Sequence, residues 1–187
     1  MTDAEEVISK DGTKLHIRRW LPLGPRSAVV VLVHGLKAHS GLYEWPASEM
    51  ARAGFAVYAL DLRGHGKSGE DEDFSRDRAF VEQMKTDPLL SRQGYPAQTI
   101  AELARADERL HTELARITIP VLVLHGTDDH VTLPSGSKLF GEIGGSQDKT
   151  LTLYQGHYHD LLNDLGKERV LGDVIDWIER HLVLRAA

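Results

Sequence analysis

No cysteine occurs anywhere in the 187 residues. This excludes disulfides, cysteine-ligated zinc and a thiolate nucleophile, and leaves the redox compartment open. An excess of basic charge is also lacking. The net charge is -6, so the chain repels polyanions on average and carries no electrostatic footprint for nucleic acid. Long hydrophobic runs are absent. The longest strongly apolar stretch, AVVVLV at 28–33, is far too short to span a bilayer. The N-terminus, MTDAEEV, lacks the basic start and apolar stretch of a secretory signal. No linker or low-complexity segment interrupts the chain. These absences predict a soluble, cytoplasmic protein without a transmembrane segment.

What remains is an ordinary globular balance, 41% hydrophobic and 27% charged, of a size that suits one domain spanning 1–187. VISKDGTKLHIRRW places two strand-like runs around Asp11-Gly12, a hairpin signal. SAVVVLVHG, FAVYALDL and IPVLVLHG read as strands buried on both faces. KTLTLYQG reads as a further strand with more alternation. Helices are predicted from Trp45 to Ala53, where Pro46 lies near the start and Gly54 follows the end. Others are predicted from a capping-box pattern at Thr99 and Glu102 to about Ala115, and from Pro134 to Ile143. A last helix carries Leu171, Val174, Ile175, Ile178 and Leu182 on one face. Strands alternating with helices imply an α/β fold with a mostly parallel sheet of about six strands flanked by helices.

DLRGHGKSG at 61–69 spells a phosphate loop in two ways, and both fail. The triphosphate pattern needs glycine five residues before Gly66, where Asp61 stands. The dinucleotide pattern G-x-G-x-x-G needs a helix opening within its glycines. Here Glu70, Asp71, Glu72 and Asp73 follow, and four carboxylates oppose a phosphate.

Read with their neighbours, these residues take another meaning. VLVHGLKAHSGLYEW, GFAVYALDLRGHGKSG, ITIPVLVLHGTDDHVT and LYQGHYHDLLND occur in that order. The set resembles the α/β-hydrolase superfamily, and most closely its monoacylglycerol lipase and lysophospholipase branch. The resemblance covers nearly the whole chain. It implies that the glycine-rich loop is a tight turn after a central strand. It further implies a serine hydrolase acting on acylglycerol- or lysophospholipid-like esters, in which serine attacks, histidine takes the proton and aspartate orients the histidine. The acid falls on Asp129, with Asp128 as its neighbouring alternative; the histidine falls on His159, with His157 as the alternative. The backbone N–H of Leu36, after His34-Gly35, maps to one oxyanion donor.

The nucleophile has no counterpart. G-x-S-x-G does not occur in the sequence. GHGKSGEDEDF runs directly into SRDRAFVEQMKTDPLL, which resembles the far end of the family's cap, so that 75–99 is a residual cap segment. A central block, including the nucleophile strand, is missing near 70–75. The fold implied is thus a shortened α/β-hydrolase, weak or inactive as an esterase. Ser68 and Ser40 are weak substitutes by position, and both read better as turn residues forming local hydrogen bonds. The alternative is a non-catalytic lipid-binding or interaction remnant of the fold.

A second alternative draws on ten histidines and the clusters Asp128-Asp129-His130 and His157-Tyr158-His159-Asp160. These suit a metal-dependent hydrolase, although the triad remnant already accounts for the same residues. No cofactor or metal is required, and the implied ligand is an acyl ester or lipid. With the nucleophile strand gone, AVVVLV has lost a neighbour. It is expected to pair directly with PVLVLH, or else to join a second copy in a homodimer.

Overall fold

The computed structural model describes residues 2–8, 14–36, 38–61, 75–88 and 97–186. Strands β1 (Thr2–Ile8), β2 (Lys14–Trp20), β3 (Ala28–Val33) and β4 (Phe55–Leu60) come first, with α1 (Glu44–Arg52) between the last two. Helices α2 (Arg78–Thr86) and α3 (Ala97–Glu113) follow. Strand β5 (Val121–Gly126), α4 (Pro134–Ile143), β6 (Lys149–Tyr154) and α5 (Lys167–Ala186) complete the order. The hairpin is realised as an antiparallel β1–β2 pair running from Thr2↔Trp20 to Ile8↔Lys14.

The chain divides into two compact units. One holds Met1–Glu70, Gln83–Arg92 and Gly166–Ala187; the other holds Asp71–Glu82 and Gln93–Leu165. In the first, four strands run in the order β1-β2-β4-β3. β3 and β4 pair in parallel from Ala28↔Phe55 to Val33↔Leu60. The core gathers around Trp20, Met50, Phe55 and Val57, each no more than 2% exposed. Full burial of a side chain such as Phe55 stabilises by about 2–3 kcal/mol. α5 contributes Leu171, the first residue of its predicted apolar face, and also Val170 to the buried set.

The second unit carries a separate two-stranded sheet, β5 parallel to β6, from Val121↔Lys149 to Gly126↔Tyr154. Six strands are therefore present among the described residues, in two sheets of four and two. Among the described residues, AVVVLV pairs with β4 and PVLVLH with β6. β3 ends its sheet, and Val29, Val31 and Val33 are 65%, 61% and 60% exposed. The reading of this run as buried on both faces is corrected accordingly. A β-branched run records what a strand is suited to bury, while burial itself requires a neighbour.

Candidate active site

β5 ends at Gly126, and the turn after it delivers Asp129. β6 ends at Tyr154, and the following loop delivers His159. The two parallel strands are adjacent, so both side chains emerge at the same carboxyl edge. Asp129 is 3% exposed. Its Oδ1 accepts the backbone N–H groups of Val131 (2.8 Å) and Thr132 (2.9 Å). Its Oδ2 accepts the Thr132 hydroxyl at 2.9 Å and His159 Nδ1 at 2.9 Å. Burial alone raises this carboxyl. The bonds from His159 and Thr132 outweigh it and hold the group below the usual carboxylate range.

A carboxylate can only accept, so His159 Nδ1 carries a proton. In the neutral ring this leaves the lone pair on Nε2, the arrangement a general base needs. The histidine loop is fixed at several points. Tyr158 N–H donates to Asp164 Oδ2 at 3.0 Å, and Asp128 N–H donates to His157 O at 3.0 Å. Gly126 admits the loop closely: a Cβ there would lie 2.2 Å from His157 O and 2.5 Å from Tyr158 O.

Asp164 is the second carboxylate hub, its side chain 0% exposed. Arg76 Nε donates to both of its oxygens, at 3.1 and 2.9 Å, and the Arg76 backbone N–H donates to Oδ1 at 2.7 Å. Arg76 also reaches Leu165 O, and Ser75 Oγ donates to Asn163 O at 2.8 Å. Burial raises Asp164, but the backbone bonds of Tyr158 and Arg76 and the guanidinium prevail and lower it. Asp160 behaves oppositely, since burial pushes it up despite its bond from Asn163.

The other sequence-derived candidates fall elsewhere. Asp128 takes the Thr127 hydroxyl at 3.0 Å, and His157 Nδ1 lies 3.4 Å from Asp164 Oδ2, so neither forms the pair. Leu36 sits on the turn after β3, half-buried, in the first unit. Ser40 is 0% exposed; its Oγ accepts from Arg18 Nε at 3.1 Å and its N–H donates to Asp61 at 2.6 Å. Burial raises Asp61, and the bonds from Ser40 reverse this and lower it. Ser68 and the acidic run at 70–73 lie outside the described residues. Among the described residues, no group of three or more histidine, aspartate or glutamate side chains is arranged to hold a metal ion.

Sequence reasoning missed Arg76, Thr132, His125 and Asp164. His125 stood visible only as the residue before Gly126 in IPVLVLHG. Arg76 and Asp164 are 88 positions apart, and no local pattern joins them.

A family model described as "Serine aminopeptidase, S33" matches residues 24–74 and 69–166. The monoglyceride lipase of Rattus norvegicus is 31% identical, over 99% of this chain and 93% of that protein. The chain belongs to this family, in the monoacylglycerol lipase branch of the α/β-hydrolases. A Mycolicibacterium smegmatis monoacylglycerol lipase is 25% identical over 91% of this chain and 95% of its own length. In fold, the α/β-hydrolase likeness extends to a soluble variant of Saccharomyces cerevisiae monoglyceride lipase. Its TM-score is 0.84 at 15% identity, covering 97% of each chain. The alignment to the rat lipase runs over 282 positions, longer than the 187 residues here, so that hydrolase carries residues with no counterpart in this chain. The two stretches matched by the family model meet at 69–74.

Proposed function

We propose that this chain carries the acid–base half of a carboxylic ester hydrolase for acylglycerol- or lysophospholipid-like substrates, and that it turns esters over weakly or not at all as it stands. The observation that carries the reading is the 2.9 Å bond from His159 Nδ1 to Asp129 Oδ2, with the histidine side chain 30% exposed and its carboxylate 2% exposed. A buried, ionised acid behind a partly exposed imidazole is the pairing that general-base catalysis requires. In this reading Asp129 orients and His159 moves the proton. The nucleophile is the missing part, since G-x-S-x-G does not occur. The reading includes a cytoplasmic location and no cofactor. Among the described residues, no helix is long and apolar enough to cross a membrane.

The test is reconstruction. The stretch of the rat monoglyceride lipase without counterpart here is inserted at 69–74, and monoacylglycerol hydrolysis is measured. Turnover should appear. His159→Ala should then lower it by roughly 10⁶ and Asp129→Asn by about 10⁴. A folded chimaera whose turnover is indifferent to both changes would remove these residues from the reaction.

A second reading is favoured by β3. Its three valines are more than half exposed at the end of a sheet, and an apolar edge strand invites pairing with another chain. We propose that two copies associate through this edge as the interaction role of the shortened fold. Sedimentation velocity should show dimer in the wild-type chain and monomer in Val31→Lys. A wild-type chain that stays monomeric at high concentration would count against the edge as an interface.

A further inference from the structure

The turn that bears Asp129 is held from a side the acid–base reading does not use. His125, on β5, lies with its side chain 13% exposed. Its Nε2 is 2.9 Å from Thr132 O and 3.0 Å from Asp129 Oδ2. Both neighbours are acceptors, so Nε2 carries the proton. In the neutral ring Nδ1 is then an acceptor, and Ser137 Oγ, on α4, lies 2.6 Å from it. The tautomer is thus set from both ends. The ring spans α4 and the 129–132 turn, and its polarised N–H stands beside the same oxygen that receives His159.

Thr132 is the point through which this hold acts. Its carbonyl takes His125, its N–H and hydroxyl go to the two oxygens of Asp129, and its hydroxyl is 3.3 Å from His159 Nδ1. If the turn rotated, Asp129 would lose two bonds from Thr132 together, and Oδ2 would leave its place opposite His159. A hydrogen bond of this kind tolerates little misalignment.

We propose that His125, locked by Ser137, is the positioning residue that holds the Thr132 turn and so aims Asp129 at His159. It touches no reacting atom in this scheme and acts through the carboxylate. The proposal rests on the acid–base reading of Asp129 and His159.

The test reads the ring proton directly. In the full chain, His159 Nδ1–H held to a carboxylate gives a far-downfield, slowly exchanging proton resonance, assigned by its loss in His159→Gln. In a folded His125→Ala variant, judged by circular dichroism and an otherwise native spectrum, this resonance should be lost or exchange roughly tenfold faster. His125→Gln, which keeps a donor near the Nε2 position, should restore it. Ser137→Ala, on the half-exposed face of α4, should weaken it to a lesser degree and keeps the idea testable if His125→Ala does not fold. An unchanged resonance in both His125→Ala and Ser137→Ala would overturn the proposal. Asp129→Asn is the separate control. If it leaves the resonance untouched, the acid–base pairing itself is wrong, whatever His125 does.

Discussion

The purified chain is expected to hydrolyse p-nitrophenyl butyrate at close to the uncatalysed rate, and a fluorophosphonate probe is expected to label no serine. Loss of a triad serine alone removes about 10⁶ in rate. On the proposed reading the loss is compounded, because the second oxyanion donor normally follows the nucleophile. The described serines offer little in exchange. Ser40, Ser75 and Ser146 are 0–3% exposed. The Ser40 hydroxyl is occupied by Arg18, that of Ser75 by Asn163 O and Asp77 N–H, and that of Ser146 by Asp148 N–H. Ser137 does meet an imidazole, His125 Nδ1 at 2.6 Å, but it stands on a helix with no elbow to present it. Robust turnover abolished by Ser68→Ala would overturn the expectation and make GHGKSG a nucleophile turn. Probe found on Ser137 would make His125 a base.

Removing Arg76 should markedly destabilise the second unit. Arg76→Ala leaves Asp164 buried with its guanidinium gone. Breaking a buried ion pair in this way costs about 3–5 kcal/mol. The 28% exposure of Arg76 argues for the lower end, about 3 kcal/mol, after solvent screening. For a chain of this length that is a fall in Tm of roughly 6–12 °C.

The pH dependence follows from the same pair. Asp164 is lowered in the folded state, so the unfolded chain binds its proton first. Its contribution is complete above the unfolded carboxylate range, near pH 4, and is lost as pH falls through the folded value. Asp160, raised by burial, acts in the reverse sense, because its ionisation above that range is the unfavourable state. Denaturant melts of wild type and Arg76→Ala should therefore differ most at neutral pH and converge in acid. Equal stabilities at pH 7 would show that the bond carries no net weight.

The strands that deliver Asp129 and His159 were legible in the sequence. The family resemblance put the acid on Asp129 or Asp128 and the histidine on His159 or His157; HGTDDH and GHYHD each follow a recognisable strand, and it is the bond from His159 Nδ1 to Asp129 Oδ2 that singles out one member of each. The supports were not legible. Arg76 and Asp164 meet across 88 positions, and Thr132 looks like any turn residue until its three polar groups are seen in use. Strand content was legible as well: five of the six strands lie inside runs read as strand-like, and β1 extends its run back to Thr2. Sheet partnership was not, because the valines of β3 read the same whether or not a neighbour exists. α3 starts at Ala97, two residues before the threonine of the capping box, the scale at which helix ends defeat local signals.

The glycine at the end of β5 sets a limit on heritable variation. From a glycine codon every missense change adds at least one carbon, and at position 126 that carbon would fall 2.2 Å from one carbonyl oxygen and 2.5 Å from the next. Both belong to backbone, which cannot swing aside as a side chain would. Gly136 and Gly172 have nothing within 4 Å of the same added carbon and are open to alanine. Codons 136 and 172 are therefore open to drift, while a missense change at codon 126 should cost the fold. The constraint there comes from the fit of the loop, whether or not an ester is ever cleaved.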